Sequence, residues 1–107
     1  MKLFDLTGRI ALITGSSKGI GHGLARGLAE AGARVVLNGR DGARLAVAAA
    51  GLTTSGLSGV ETAAFDVTDP GAVAVGIDEV ETRIGPIEIL VNNAGMQFRT
   101  PLEDFPI

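Results

Sequence analysis

The chain has 107 residues, which is enough for one modest hydrophobic core and predicts a single domain over residues 1–107. Hydrophobic residues make up 46% of it, most of them aliphatic, and this composition suits a buried parallel sheet covered by helices. The formal net charge of −3 argues against nucleic acid as a partner, and the absence of cysteine excludes a disulfide framework and a thiol nucleophile.

The hydrophobic pattern alternates between strand-like runs and amphipathic segments. Leu24, Ala25 and Leu28 recur at helical spacing in the first amphipathic segment, and Asp41 and Asp69 stand where a helix N-cap is expected. In chain order, the pattern predicts a strand over residues 9–14, a helix over 19–31, a strand over 34–38, a helix over 42–52, a strand over 60–65, a helix over 70–84, a strand over 87–92 and a helix over 100–105.

This alternation predicts an α/β fold built on a doubly wound parallel sheet. Because connections between parallel strands are right-handed, the first two helices should cover one face of the sheet and the third helix the other face. The strand order is then 3-2-1-4. The order reverses between strands one and four, and such sheets bind ligands there, beyond the carboxyl ends of their strands.

A glycine-rich turn, Thr-Gly-Ser-Ser-Lys-Gly-Ile-Gly, joins the first predicted strand to the first predicted helix. Gly15, Gly19 and Gly21 give the spacing G-x-x-x-G-x-G, which lets the backbone approach a phosphate at a helix N-terminus. No Gly-Lys-Ser/Thr follows Gly15 at the distance that a Walker A loop requires. Leu24 stands where the G-x-G-x-x-G fingerprint has its third glycine. The spacing therefore predicts a different dinucleotide-binding turn.

Two more motifs follow the third and fourth predicted strands, namely Asp66-Val67 and Asn-Asn-Ala-Gly at residues 92–95. Together with the glycine turn, they resemble the short-chain dehydrogenase/reductase family. The resemblance implies a Rossmann-like fold in which Asp66 accepts from adenine and Asn92 steadies the sheet. It implies cofactor contacts by Gly15, Ser17, Lys18, Gly19, Ile20, Gly21, Asn38, Arg40, Asp66, Val67, Asn92, Ala94 and Gly95.

The end of the second strand predicts which dinucleotide binds. Rossmann enzymes that use NAD place an acidic residue there, on the ribose 2′-hydroxyl, whereas this chain has Gly39 followed by Arg40. Arg40 and Lys18 offer cationic donors that suit a 2′-phosphate. The sequence therefore predicts NADP rather than NAD; the alternative is that both side chains are solvated surface charges.

The catalytic groups that the resemblance implies are a serine and a Tyr-x-x-x-Lys motif, in which the tyrosine moves the proton. The chain contains no tyrosine, and its only lysines are Lys2 and Lys18. No catalytic residue is therefore assigned, and the sheet is expected to be the incomplete, cofactor-binding half of such an enzyme. We expect the 107 residues by themselves to show no dehydrogenase turnover.

Residues 35–40 and 92–105 resemble the gluconate 5-dehydrogenase branch of the family. This implies hydride transfer between NADP and a hydroxyl/ketone pair such as gluconate and 5-ketogluconate, with Arg99 placed to bind the substrate carboxylate. Arg99 as a solvated loop residue is the alternative. For the whole chain, the alternatives are a 3-oxoacyl-carrier-protein reductase, a noncatalytic nucleotide-binding module and a fragment without either property.

The remaining polar residues predict no further site. His22 is the only histidine and is expected to be an exposed helical residue, and the acidic residues form solvated faces rather than a metal site. No apolar run approaches the roughly 20 residues of a membrane span, so a cytoplasmic protein with no membrane partner is expected. An apolar fourth strand at the sheet edge predicts self-association into a homo-oligomer.

Overall fold

The computed structural model describes residues 5–93, in which strands and helices alternate as predicted. The helix expected over residues 100–105 lies outside the described residues. The elements are β1 (Ile10–Ile13), α1 (Gly19–Glu30), β2 (Arg34–Gly39), α2 (Gly42–Thr54), β3 (Val60–Ala64), α3 (Pro70–Arg83) and β4 (Ile89–Val91).

The four strands form one parallel sheet in the order β3-β2-β1-β4, which confirms the predicted topology. β1 lies at the reversal point, where Ile13 pairs with Leu37 of β2 on one side and with Val91 of β4 on the other. All four residues of β1 are buried, because strands flank it and helices cover both of its faces. The carboxyl ends of three strands therefore meet around residue 13.

The core has two layers, one on each face of the sheet. Ala11 and Ile13 of β1 belong to a cluster with the buried residues of α1 and α2, whereas Ile10 and Leu12 pack with Val80 of α3. This alternation follows from the two-residue period of a strand. It confirms that α1 and α2 share one face and that α3 covers the other.

α1 packs against the sheet mainly through small residues. The helix buries Gly21, Ala25 and Ala29, while Leu28 is partly buried and Leu24 is 39% exposed. Leu24 therefore lies at the border of the buried face, although it recurs at helical spacing with Ala25 and Leu28. Small residues one turn apart let the helix axis approach the sheet, and a leucine on that line would hold it away.

Two of the three helices begin at the side-chain caps that the sequence predicts. Asp41 Oδ1 accepts from the backbone N–H groups of Ala43 and Arg44 at 2.9 and 3.2 Å. Asp69 caps α3 in the same way, and Pro70 occupies its first turn. These bonds satisfy backbone donors that the helix itself leaves free.

β4 is shorter than the predicted strand over residues 87–92. The backbone N–H of Ile87 donates to Glu81 Oε2 at 3.0 Å instead of to a neighbouring strand. Glu88 N–H then donates to the Ile10 carbonyl at 2.9 Å, and strand pairing starts from Ile89. The Glu81 carboxylate thus satisfies a backbone donor just before β4, on the side of the chain that faces away from β1.

An arginine of α3 lies along β3, one of the two outer strands of the described sheet. Arg83 Nη2 donates to the Thr62 carbonyl at 2.8 Å, and its other nitrogens approach Glu79 and Glu61 at 2.7 and 3.4 Å. Glu61 also pairs with Arg34 of β2 at 2.9 Å. This surface network fixes the end of α3 against the strand.

The packing of α3 against the sheet requires a glycine at position 76. A Cβ atom on Gly76 would overlap the Phe65 ring, with Cγ only 2.7 Å away. Gly76 is buried in the middle of a helix, where glycine is normally unfavourable compared with alanine. The close contact with Phe65 therefore explains why the helix carries a glycine there.

We predict that Gly76→Ala lowers the free energy of unfolding by about 1–3 kcal/mol, because overpacking against Phe65 outweighs the gain in helix propensity. The matched control is Gly27→Ala in α1, where a Cβ would meet no atom within 4 Å. That variant should gain roughly 0.5–1 kcal/mol. Urea unfolding followed by circular dichroism measures both, and stabilisation by Gly76→Ala would contradict the packing argument.

Candidate functional site

The glycine turn connects β1 to α1 at the centre of the sheet edge. Gly15 and Gly19 have φ values of 58° and 66°, a region that residues with a side chain rarely occupy. A Cβ atom on Gly19 would meet nothing within 4 Å, so the space beside the start of α1 is open. The turn therefore exposes its backbone at the point where the strand order reverses.

Gly21 is required for a different reason, which is close packing. A Cβ atom there would overlap the carbonyl oxygen of Gly15 and would lie 2.5 Å from Asn93 Nδ2 and 3.0 Å from Ser16 Cα. The first turn of α1 thus rests directly on the turn and on the end of β4. Any side chain at position 21 would push the helix N-terminus away from the strand ends.

Ser16 joins the turn to both central strands from a fully buried position. Its Oγ donates to the Ile13 carbonyl at 2.6 Å and accepts from the backbone N–H of Asn38 at 2.9 Å. Its own backbone N–H donates to the Asn38 carbonyl at 2.8 Å. These three bonds continue the pairing of β1 with β2 into the turn.

The side chain of Asn38 supports the turn from below and is 1% exposed. Its Oδ1 accepts from the Gly15 N–H at 3.3 Å, and its Nδ2 donates to the carbonyls of Ala63 and Phe65 at 3.0 and 3.2 Å. The amide therefore links the ends of three neighbouring strands, β1, β2 and β3. Asn38 positions the site, since its side-chain donors are both engaged by backbone.

β4 is attached to the same turn by two polar side chains. Thr14 donates through its backbone N–H and its Oγ1 to the Val91 carbonyl at 3.0 and 3.3 Å. Asn93, which is buried, donates from Nδ2 to the Gly15 carbonyl at 3.0 Å. Asn92 is exposed, and its Oδ1 accepts from Thr14 Oγ1 at 3.3 Å. Of the two asparagines, Asn93 is the buried one, and its side chain binds the backbone of the turn.

The N-terminus of α1 differs from those of the other helices. Its N-cap residue is Lys18, which makes no side-chain capping bond, whereas Asp41 and Asp69 cap α2 and α3. The first-turn N–H groups therefore have no side-chain acceptor, and the helix dipole adds partial positive charge there. This arrangement favours an anion at the edge of the sheet.

Arg40 and Asp66 follow the ends of β2 and β3. Asp66 Oδ1 accepts from Thr68 Oγ1 at 2.7 Å and from the Thr68 N–H at 2.9 Å. These two bonds hold the pKa of Asp66 below its ordinary value, desolvation opposes them, and the nearby positive charge of Arg40 lowers the pKa further. An ionised carboxylate and an exposed guanidinium thus lie close together.

A cleft of about 690 Å³ opens beside the turn, between the start of α1 and the length of α2. Ser17 and Lys18 line it at the turn, His22 at the first helical turn of α1, and Ala43 and Arg44 at the start of α2. Gly39 lies close to Ser17, since a Cβ atom on Gly39 would be 3.7 Å from Ser17 Oγ.

The structure brings most of the expected site residues to one edge of the sheet. The turn residues, Arg40, the Asp66-Val67 pair and Asn92 all follow the carboxyl ends of strands. Ala94, Gly95 and Arg99 lie outside the described residues. Sequence reasoning missed Ser16 and Asn93, which hold the turn; each is one of two adjacent identical residues, and no sequence signal separated the inward member from the outward one.

Comparison with known proteins identifies the family. The family pattern described as short chain dehydrogenase matches residues 9–107. The chain belongs to this family. Its glycine turn, its Asp66-Val67 pair and its Asn-Asn-Ala-Gly segment all lie within the match.

Several individual relatives are gluconate or ketogluconate oxidoreductases. The chain is 54% identical to a gluconate 5-dehydrogenase of Gluconobacter oxydans over 96% of its own length, and 42% identical to a 5-keto-D-gluconate 5-reductase of Escherichia coli over 97%. It spans 40% and 41% of those two proteins. A solved gluconate 5-dehydrogenase of Burkholderia cenocepacia, in complex with NADP and tartrate, aligns with a TM-score of 0.82 at 51% identity, over 96% of this chain and 40% of that one.

Residues 5–93 contain neither a metal-binding cluster nor a membrane-spanning helix. No group of three or more histidine or acidic side chains is arranged to hold a metal ion in that part of the chain. No helix there is both long and apolar enough to cross a membrane.

We predict that Asn38→Asp destabilises the protein by about 2–4 kcal/mol, since a carboxylate would face the two carbonyls that now accept from Nδ2. Asn92→Asp is the matched control, because Asn92 is exposed and should change stability by less than roughly 1 kcal/mol. Chemical denaturation reports both values. Equal effects at the two positions would show that the buried amide does not support the turn.

A second prediction concerns acid pH. Because the pKa of Asp66 is lowered in the folded chain, its stabilising contribution is present above the ordinary aspartate pKa and is lost as pH falls through the folded value. Thr68→Val removes the 2.7 Å hydroxyl bond and should raise this pKa toward its ordinary value. Carboxyl carbon shifts in an NMR titration measure it, with Thr53→Val as the control; an unchanged pKa in Thr68→Val would contradict the assignment.

Proposed function

We propose that this chain is the cofactor-binding part, and a single domain, of an NADP-dependent oxidoreductase that interconverts gluconate and 5-ketogluconate. The observation that carries the proposal is the N-terminus of α1, which lacks a side-chain cap and lies at the reversal point of the sheet. The family membership and the gluconate-specific names of its relatives support the substrate class.

The glycine turn fits a dinucleotide pyrophosphate. The open space at Gly19 and the uncapped N–H groups of the first turn of α1 provide room and donors for an anion. Ser17, Ile20 and the backbone at Gly15 and Gly21 complete this cradle in the proposal. Ile20, which is 73% exposed, would present an apolar surface to the cofactor.

The adenosine half of the cofactor would lie along the ends of β2 and β3. Thr68 engages Asp66 through Oδ1, which leaves Oδ2 as an acceptor for the adenine amino group. The backbone of Val67 would bind the same ring. Asn92 and the small residues Ala94 and Gly95 would then border the ribose of the nicotinamide half.

Charge at the end of β2 supports NADP over NAD. Gly39 offers no carboxylate to a ribose 2′-hydroxyl, while Arg40, which follows it, and Lys18 of the glycine turn are exposed cations. A 2′-phosphate carries about two negative charges and three acceptor oxygens, so such donors favour it strongly. The NADP complex of the Burkholderia relative agrees with this preference.

When bound, NADP would supply the hydride acceptor, and the residues of this chain would bind and orient it. The 107 residues contain no tyrosine, so the tyrosine that moves the proton in this family would come from outside them. Arg99 would bind the gluconate carboxylate. We also expect the protein to self-associate, with β4 as a candidate contact because Leu90 is 59% exposed among the described residues.

We predict that Arg40→Ala weakens NADP binding by about 1–3 kcal/mol and leaves NAD binding unchanged, because a charge-assisted contact to the 2′-phosphate is lost. Arg9→Ala is the matched control, since Arg9 is an exposed arginine preceding β1, at the opposite edge of the sheet. Isothermal titration calorimetry with both dinucleotides measures the effect. Equal losses for NADP and NAD would show that Arg40 does not read the phosphate.

The substrate part of the proposal is tested on the full protein that carries this chain. NADP-dependent oxidation of gluconate should far exceed the reduction of a 3-oxoacyl thioester by NADPH. Arg99→Ala should raise KM for gluconate and leave NADP affinity alone, and Arg99→Lys should recover part of the loss because one charge is retained. If the full protein prefers the thioester, the gluconate proposal is wrong and the substrate is an acyl thioester.

A further inference from the structure

The end of β2 carries Asn38-Gly39, the one Asn-Gly pair of the 107 residues, and this dipeptide can react with itself. A glycine nitrogen can attack the side-chain amide carbon of a preceding asparagine, because no side chain on the glycine hinders the approach. A bond forms between Gly39 N and Asn38 Cγ, the bond from Cγ to Nδ2 breaks, and ammonia leaves with the proton of the Gly39 nitrogen. Water then opens the five-membered imide at either carbonyl and gives aspartate or isoaspartate.

The folded chain prevents this reaction at Asn38. β2 is extended there, with Asn38 paired to Ala63 and Gly39 to Ala64, and an extended backbone turns the following nitrogen away from the side chain. Asn38 is buried, and its Nδ2 donates to the carbonyls of Ala63 and Phe65. Loss of ammonia would require both of these bonds to break and water to enter, so the end of β2 must open first.

The products do not fit the position that the amide occupies. An ionised aspartate has no side-chain donor, and its oxygens would face the carbonyls of Ala63 and Phe65. Isoaspartate adds a carbon atom to the main chain, which would shift the pairing of β2 with β3 beyond that point. Either product therefore weakens the support of the glycine turn.

We infer that Asn38-Gly39 is a self-modification site, which is blocked in the folded sheet and reacts when the carboxyl end of β2 opens. The reaction needs water and no cofactor or partner. It is irreversible because the ammonia is lost, so a chain that has reacted returns only to a destabilised sheet. The pair thus limits how long a chain can remain open and still recover its native stability.

The experiment measures the mass of the peptide that contains residue 38 after incubation of the full protein at mildly alkaline pH. Replacing the amide by a carboxylate makes this peptide heavier. The modification should be at least roughly a hundredfold slower in the folded protein than in guanidinium chloride, because only the open fraction reacts. Peptides that carry Asn92 and Asn93 are internal controls and should react more slowly in denaturant, since neither residue precedes a glycine.

Gly39→Ala is the matched variant. A Cβ atom at position 39 would lie 3.6 Å from Leu45 Cδ2 and 3.7 Å from Ser17 Oγ, which are ordinary contacts, so the fold should accept it. In denaturant it should slow the modification on the order of tenfold, because the added carbon hinders the attacking nitrogen. The thermal midpoint of refolded protein should fall with time spent in denaturant, and about tenfold more slowly in Gly39→Ala.

Equal rates of modification at Asn38 in folded and unfolded protein would overturn the inference, because burial would then give no protection. Unchanged stability of chains modified at residue 38 would overturn it as well. If Gly39→Ala does not fold, Asn38→Asp gives the second measurement, because it contains one of the two products from the start. It should unfold at a lower denaturant concentration than the unmodified protein, and an unchanged midpoint would contradict the inference.

Discussion

The hydrogen bonds that Ser16 and Asn38 make below the glycine turn are the constraint on which the rest of the site depends. A turn at the end of a buried strand has backbone groups that no neighbouring strand can satisfy, and leaving them unpaired away from water is costly. Ser16 Oγ and the Asn38 amide satisfy these groups and join β1, β2 and β3 at one point. The position of α1 follows, because Gly21 rests on the same turn.

The N-termini of α2 and α3 are capped by side chains, whereas the N-terminus of α1 is left open for binding. Asp41 and Asp69 cap α2 and α3, whereas the N-cap of α1 makes no side-chain bond. A missing cap withholds about 1 kcal/mol of helix stability. In α1 the uncapped N–H groups remain available as donors to a ligand. The close packing of Gly21 on Gly15 and Asn93 holds this uncapped end in place.

Much of this architecture could be predicted from the sequence because it depends on periodicity and on chain handedness. The strand order, the faces covered by each helix and the caps at Asp41 and Asp69 all follow from those rules. The inward choice of Ser16 over Ser17 and of Asn93 over Asn92 could not be predicted, because alternation stops where a strand ends. The bond from Ile87 N–H to Glu81 could not be predicted either, because it is a tertiary contact between α3 and the segment before β4. The NADP preference stays a prediction.

The contact of Arg83 with the Thr62 carbonyl has a consequence for how copies of this chain meet. An outer strand has unpaired backbone groups to which an extended segment of another chain can bind. Here the Arg83 guanidinium already occupies the Thr62 carbonyl, so an added strand would have to displace it. Glu61 and Glu79 fix that guanidinium in place, and their charges would be buried by an added strand. Arg83 of α3, the helix that follows β3, therefore opposes the addition of a further strand at the β3 edge, the kind of pairing that builds amyloid.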